Sequence, residues 1–347
     1  MIASPDLSNS RSRLADWLEL RALFANQGAG EADFASVSRL TSDDHRDRQI
    51  DETGVAVEDE ILEGGIEETM ICVSEEIGQR VRYLENDYPF IVTERPFRIS
   101  LKGCDYLTTS HWTYLFLLLM SGERDRMLPK SDKIANLIRT GRTLFHACAS
   151  IGVAGLLRNA TTIWFGWPRP DGAEFLPALA KLCDKLGCGR AKDHIPAGLP
   201  SRPKDDHIDI VGWRTFRDQR NGNLLVLCQA ATGNNWNEKS VINHIEAFRD
   251  WFDLAPYARA MGSIALPFPA YHEVDEHPEE DFRNALHNSL HRSQSRHGVL
   301  IDRFRIVESV VDVNADSRGV GRVNGIEKLA ELKVWVSDTI EAIKGAG

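Results

Sequence analysis

Nothing in these 347 residues is long and apolar enough to cross a bilayer. The longest apolar run, WTYLFLLLM from Trp112 to Met120, falls well short of the roughly 20 residues a spanning helix needs. The opening stretch MIASPDLSNSRSRL is polar and lacks the basic and apolar regions of a secretory leader, so a cytoplasmic chain is expected. Cysteine is sparse: Cys72, Cys104, Cys148, Cys183, Cys188 and Cys228 stand apart among apolar neighbours, which excludes a dense disulfide framework. Cys183 and Cys188 have no second Cys/His pair behind them at zinc-site spacing. A Walker A sequence and a G-x-S-x-G elbow are both missing, which removes the main support for phosphate-loop NTPases and α/β-hydrolases. His287 and His291 sit at i, i+4 without the glutamate of HExxH, and read as a polar helix face. GVGRVNG, Gly319 to Gly325, lacks the strand-to-helix setting of a dinucleotide fingerprint and reads as a loop before the last helix. No internal repeat is visible.

Basic charge is also in short supply, since the net charge is -10. The deficit is local. Between Thr41 and Glu76 there are 13 acidic and 2 basic residues, or -11, which leaves +1 on the rest of the chain. A nucleic-acid-binding face elsewhere is therefore not excluded, although the strongly basic footprint typical of such faces is absent. The acidic run reads as a solvated loop, with a groove-covering nucleic-acid mimic as the alternative.

What remains is a soluble α/β composition with enough apolar residues for two domains of ordinary size. Periodicity predicts helices over Arg13–Asn26, Ile66–Leu84, Ser110–Met120 and Ser131–Ile151, with a β element at Pro89–Leu101. Residues 1–150 thus read as a mainly helical assembly or regulatory domain, and 151–347 as an α/β domain. In the latter, TTIWFGW reads as a strand, and Glu174–Leu186 as an amphipathic helix stopped by Gly187. Strands Ile208–Trp213 and Leu224–Ala231 form an expected antiparallel hairpin through the polar turn at Asp218–Gly222, so the sheet is mixed. A helix over Asn237–Phe252, a strand from Ser263, a helix over Glu279–Arg292, a strand VLIDRFRIVESV carrying Arg303 and Arg305 on one face, and a helix Ile326–Ile343 complete the pattern.

The hairpin carries two misfits. Asp209 shares a strand face with His207 and Val211, and Gln229 shares one with Leu225, Leu227 and Ala231. A carboxylate buried among apolar residues needs a partner or a metal. Oxygen donors on adjacent strands, with Glu174 on a preceding helix, suit a hard cation such as Mg²⁺. Each residue also has a plainer reading. Asp209 can bond a backbone loop, Gln229 can be a satisfied amide bridging strands, Glu174 sits where a helix dipole favours an acid, and Lys239 can be a surface lysine.

GAEFLPALAKLCDKLG, DHIDIVGW and LLVLCQAATGNNW, in that order, resemble the PD-(D/E)XK, or restriction-endonuclease-like, nuclease superfamily, over roughly Ala160 to Val311. The resemblance implies Glu174 as the helix acid, Asp209 as the metal-binding aspartate and Gln229 as the glutamine of a Gln-X-Lys variant. Catalytic residues would be Asp209, Gln229, Lys239 and Glu174, with Asp209, Gln229 and Glu174 on Mg²⁺, or on Mn²⁺ as a substitute. The pattern departs at Ala231, which stands where the lysine belongs, and Lys239 is the available replacement. The implied function is metal-dependent DNA cleavage in bacterial anti-phage defence, beside a partner protein that senses or translocates, such as an ATPase, with self-association left open. The alternatives are a catalytically inactive nuclease fold that binds nucleic acid or scaffolds a complex, and an interaction protein whose acidic arm recruits a basic partner.

Overall fold

The computed structural model describes residues 2–3, 10–25, 31–33, 59–95, 97–158, 160–201, 203–214, 218, 224–272, 282–315 and 322–346. Residues 41–58 of the acidic run and nearly all of the expected turn at 218–222 lie outside the described residues. The chain forms two compact units, each assembled from separate stretches. One comprises Met1–Ile138, Tyr271–Ser289 and Val334–Gly347, and the other Arg139–Ala270 and Leu290–Lys333. The expected cut at 150/151 falls inside a single helix, Asp132–Leu156. Among the described residues no helix is long and apolar enough to cross a membrane.

In the first unit, α1 (Arg11–Phe24), α2 (Asp59–Leu84) and α3 (Thr109–Arg124) accompany a small antiparallel sheet. Its strands are β1 (Glu31–Asp33), β2 (Phe90–Glu94) and β3 (Phe97–Leu101), in the order β1-β3-β2. Alternation explains the hairpin's inward face: Phe97 and Ile99 are buried, while Arg98 between them is exposed. Helix α1 is buried almost throughout, charged residues included. Asp16 and Glu19 of α1 and Glu76 of α2 surround the fully buried Arg80 at 2.6, 3.0 and 2.9 Å.

The second unit is a three-layer sandwich. Helix α4 (Asp132–Leu156), which enters it at Arg139, precedes β4 (Thr161–Trp164), α5 (Phe175–Leu186), β5 (Arg190–Ala191), β6 (Ile210–Arg214) and β7 (Leu224–Ala230). Then come α6 (Val241–Phe248), β8 (Phe252–Leu254), β9 (Met261–Ala265), α7 (Phe282–His297), β10 (Val299–Ile301), α8 (Arg303–Ala315) and α9 (Leu329–Lys344), of which α7 belongs to this unit only from Leu290 and α9 only as far as Lys333. The five-stranded sheet runs β10-β9-β7-β6-β4. The β4-β6 and β6-β7 pairs are antiparallel, while β7-β9 and β9-β10 are parallel. The parallel pairs are joined through α6 and α7, as crossovers require. The sheet is therefore mixed, as the hairpin reading expected.

On one face Val211, Leu225, Leu227 and Ile264 pack with Phe175, Leu179 and Leu182 of α5 and Ile245 and Phe248 of α6. On the other, α4 comes so close that a Cβ at Gly212 would lie 2.3 Å from Val153. The free edge of β4 is closed by the loop before α9. Thr162 bridges Val323, and the Asn324 side-chain oxygen accepts the Trp164 N–H at 3.0 Å. The last part of the glycine-rich segment thus has a structural role.

Two expectations are corrected here. DRFRI is not strand: after β10 the chain turns into α8, because Asp302 caps that helix, accepting the Arg305 N–H at 3.3 Å with one carboxylate oxygen and the Ala270 N–H at 3.0 Å with the other. Arg303 and Arg305 therefore share no strand face; Arg303 is buried and donates to the Pro267 carbonyl at 3.0 Å. The single helix expected over Asn237–Phe252 is instead a 3-10 turn (Asn234–Glu238), α6, a second turn (Arg249–Trp251) and β8. Ser240 starts α6 by accepting the Asn243 N–H, and Phe252 leaves it to pair with Ala191.

His297, the last residue of α7, is buried, and neither ring nitrogen has a hydrogen-bond partner among the described residues. Burial, helped by Arg296, pushes its pKa down to about 4. Its folded pKa thus lies below the unfolded value of about 6.5. The stability this group contributes is present above pH ~6.5 and lost as pH falls toward about 4. We expect His297→Leu to stabilise the protein by about 1 kcal/mol and to flatten urea-unfolding midpoints across that window. An unchanged acid dependence would refute this assignment.

Candidate active site

Because β7, β9 and β10 are parallel, their carboxyl ends lie at one end of the sheet, where open α/β sheets form binding crevices. Antiparallel β6 begins at that same end, with Asp209 immediately before its first residue. The approach to Asp209 is unusual, since Asp206 and His207 both adopt positive φ, at 50° and 65°. Asp209 itself is held by its main chain. Its N–H donates to the Cys228 carbonyl of β7 (2.9 Å), and its carbonyl accepts from Phe165 and Gly166 at 2.8 and 2.7 Å.

Its side chain continues this ladder. One carboxylate oxygen accepts the Ala230 N–H at 2.8 Å, and the other meets His146 Nε2 of α4 at 3.2 Å. The imidazole is fixed in turn: Nδ1 lies 3.1 Å from the Arg142 carbonyl, and the ring stacks on Trp164 at 5.2 Å and 7°. Burial alone would lower the pKa of His146, but the hydrogen bond and charge of Asp209 prevail and raise it. Both ring nitrogens face acceptors, so the protonated imidazole satisfies both.

Only glycine fits at position 166, where a Cβ would lie 2.5 Å from the Asp209 oxygen and 3.0 Å from the His146 ring. Gly166→Ala is therefore expected to displace the carboxylate from His146 and return the histidine pKa toward its ordinary value of about 6.5. A histidine NMR titration checks this, and an unmoved His146 resonance would disprove the contact.

The other expected residues are placed differently. Gln229 is buried on β7, on the same strand face as Leu225 and Leu227, and its side-chain oxygen has no hydrogen-bond partner among the described residues. It is on the strand next to Asp209, but the bonds of the Asp209 carboxylate go to Ala230 and His146. Glu174 is exposed in the N-cap position of α5 with no capping bond, and lines a cleft of about 1060 Å³. Lys239 lies between the 3-10 turn and α6. Its charge acts on His244, whose ring stacks on His207 at 4.1 Å and whose pKa is lowered first by burial and then by His207. Ala231 is buried, with its N–H bonded to the Ala265 carbonyl at 2.9 Å.

The acids before Asp209 serve the loop: Asp205 accepts from the Trp167 and His207 N–H groups, and Asp206 from Trp251 Nε1 at 2.7 Å. His287 and His291 are exposed on α7. His146 was missed in the sequence. Its only signal was a lone imidazole in the apolar helical stretch LFHACASIG.

Among the described residues no group of three or more His, Cys, Asp or Glu side chains could hold a metal ion. A closed zinc-type site is therefore not present among them. Mg²⁺ asks for less, since it keeps several waters and takes one or two carboxylates plus substrate phosphates. The carboxylate of Asp209 offers about four lone-pair sites, and two hydrogen bonds leave the others available. The orphaned oxygen of Gln229 is a neutral donor of the right kind, so the residues fit a water-rich cation. No family model matches this chain, and neither does a curated protein or a solved structure.

Proposed function

We propose that the second unit is a Mg²⁺-dependent DNA endonuclease of the restriction-endonuclease-like kind, serving genome defence beside a partner protein. The observation carrying this reading is the buried Asp209 carboxylate, bonded across the hairpin to Ala230, next in sequence to the unpaired oxygen of Gln229. The mixed sheet, with its β6-β7 hairpin followed by α6, supports it. Such a cation, when bound, supplies water activation and stabilisation of the leaving oxygen. Asp209 would hold it, with Gln229 as a neutral oxygen ligand. His146 orients Asp209 and, when protonated, offsets its charge, so cation affinity should rise as pH climbs through the raised histidine pKa. The test is Mn²⁺ binding followed by electron paramagnetic resonance. A single site is expected in the wild type and none in Asp209→Asn; equal binding by both removes the assignment.

A second reading, a catalytically silent nuclease fold that binds nucleic acid, is favoured by Ala231 in the lysine position and by the placement of Lys239 near His244.

A further inference from the structure

The cleft that holds Glu174 is large for a ligand site, at about 1060 Å³, near the top of the range that encloses drug-sized molecules. Leu176, Ala180 and Ile195 give it an apolar wall. At its rim stands Trp167 with 46% of its surface exposed. Trp167 directly follows Gly166, the residue packed against the Asp209 carboxylate, so the rim starts beside the candidate site.

The cleft also contains a buried cation. Arg169 is only 6% exposed, with its guanidinium over the rings of Phe165 (4.7 Å) and Phe175 (5.8 Å). Buried guanidinium groups are ordinarily matched by carboxylates. Here the hydrogen bonds go to neutral carbonyls, those of Ala173 (3.0 Å) and Lys204, and Nε has no partner among the described residues. Burial lowers the Arg169 pKa, and Asp205 and Asp171 only partly oppose that. Arg190, Lys192 and Lys204 add charge at the same cleft, while Glu174, Asp184 and Asp193 offset all but one of the four cations that line it, Arg169 included. Such a surface suits one or two phosphates rather than a long polyanion.

We propose that this cleft receives an unpaired nucleotide of the nucleic-acid substrate, its base stacked on Trp167 and its phosphate drawn to Arg169 and Lys204. The inference rests on the phosphodiesterase reading of Asp209. A base offers a free face to an aromatic side chain when it is unstacked, which single strands allow and an intact duplex does not. The cleft thereby selects single-stranded or locally opened DNA and delivers the adjoining phosphate toward Asp209.

The test is fluorescence anisotropy with labelled oligothymidylate and with a duplex of equal length, in an Asp209→Asn background so that nothing is cleaved. Single strands should bind at least about tenfold more tightly than duplex, and Trp167→Ala should weaken single-strand binding about tenfold or more, with Trp167→Phe restoring most of it. Lys204→Glu should weaken binding and reduce the salt slope by about 1. Circular dichroism checks that Trp167→Ala is folded. Unchanged single-strand affinity in folded Trp167→Ala overturns the proposal, as does preference for duplex. Cleavage is scored separately in proteins retaining Asp209. Trp167-dependent binding without any cleavage supports the cleft and removes the hydrolytic reading, whereas Asp209-dependent cleavage indifferent to Trp167 overturns the cleft alone.

Discussion

Asp209→Asn is expected to abolish Mg²⁺-dependent DNA cleavage while leaving DNA binding equal or tighter. The asparagine oxygen can still accept the Ala230 N–H, so the ladder survives and the loss can be assigned to chemistry. Asp209→Ala would leave that N–H unpaired in a buried place, at a cost of about 1–3 kcal/mol that would blur the reading. Losing a cation ligand or a group that stabilises transition-state charge commonly costs about 3 kcal/mol, near a hundredfold in rate. Binding should not suffer, because a negative charge facing phosphates disappears. Lys239→Ala separates the roles further: a strong loss of rate would mean that this lysine substitutes for the one missing at Ala231. The assay includes any partner protein, since an effector held inactive alone imitates a dead enzyme. Undiminished cleavage by Asp209→Asn removes the site assignment. DNA binding with no cleavage by the wild type, under any condition, moves the protein to the silent-fold reading.

Arg80→Met is expected to destabilise the first unit by about 3–5 kcal/mol, the usual result of removing one partner from a buried ion network. Arg80 has no exposed surface, and it donates to Glu76 and Asp16 at 2.9 and 2.6 Å and to the Ser12 carbonyl at 3.0 Å. Burial would lower its pKa, but Glu19, Tyr114, Asp16 and Glu76 together hold it well above the usual arginine value. Glu19 also accepts from the hydroxyls of Tyr88 and Tyr114 at 2.7 and 2.9 Å, so loss of the cation strands a whole cluster. In the variant the buried carboxylates should take up protons, giving folded pKa values above the unfolded ones. Stability would then be greatest at acid pH and fall as pH rises through those folded values. Urea titrations at several pH values read both effects, and a loss below about 1 kcal/mol would show that the network is not structurally important. Arg80→Lys should recover only part of the stability, because a point charge cannot reproduce the forked donors.

Local pattern alone fixed the α/β class, most of the helices, the hairpin and the two polar misfits within it. Alternation along LLVLCQA and DIVGW is a property of neighbouring residues, and so is the helical spacing that ends at Gly187. Misfits at Asp209 and Gln229 were equally legible, because a polar side chain in an apolar strand contradicts its immediate surroundings. Partners were not legible. His146 and Asp209 are 63 residues apart and meet through a helix and a strand whose packing depends on small residues at Gly212 and Gly166. The exposed position of Glu174, the placement of Lys239 near His244 and the capping of α8 by Asp302 were likewise set by contacts between distant segments. DRFRI shows the limit most clearly, since its alternation is that of a strand. The capping bond to Arg305 and the second bond from Ala270 to the same carboxylate make it a helix, and the latter partner lies 32 residues away. Sequence determined which side chains required an explanation, and tertiary structure determined what each one met, because a buried charge or amide is satisfied by whatever the fold brings within about 3 Å.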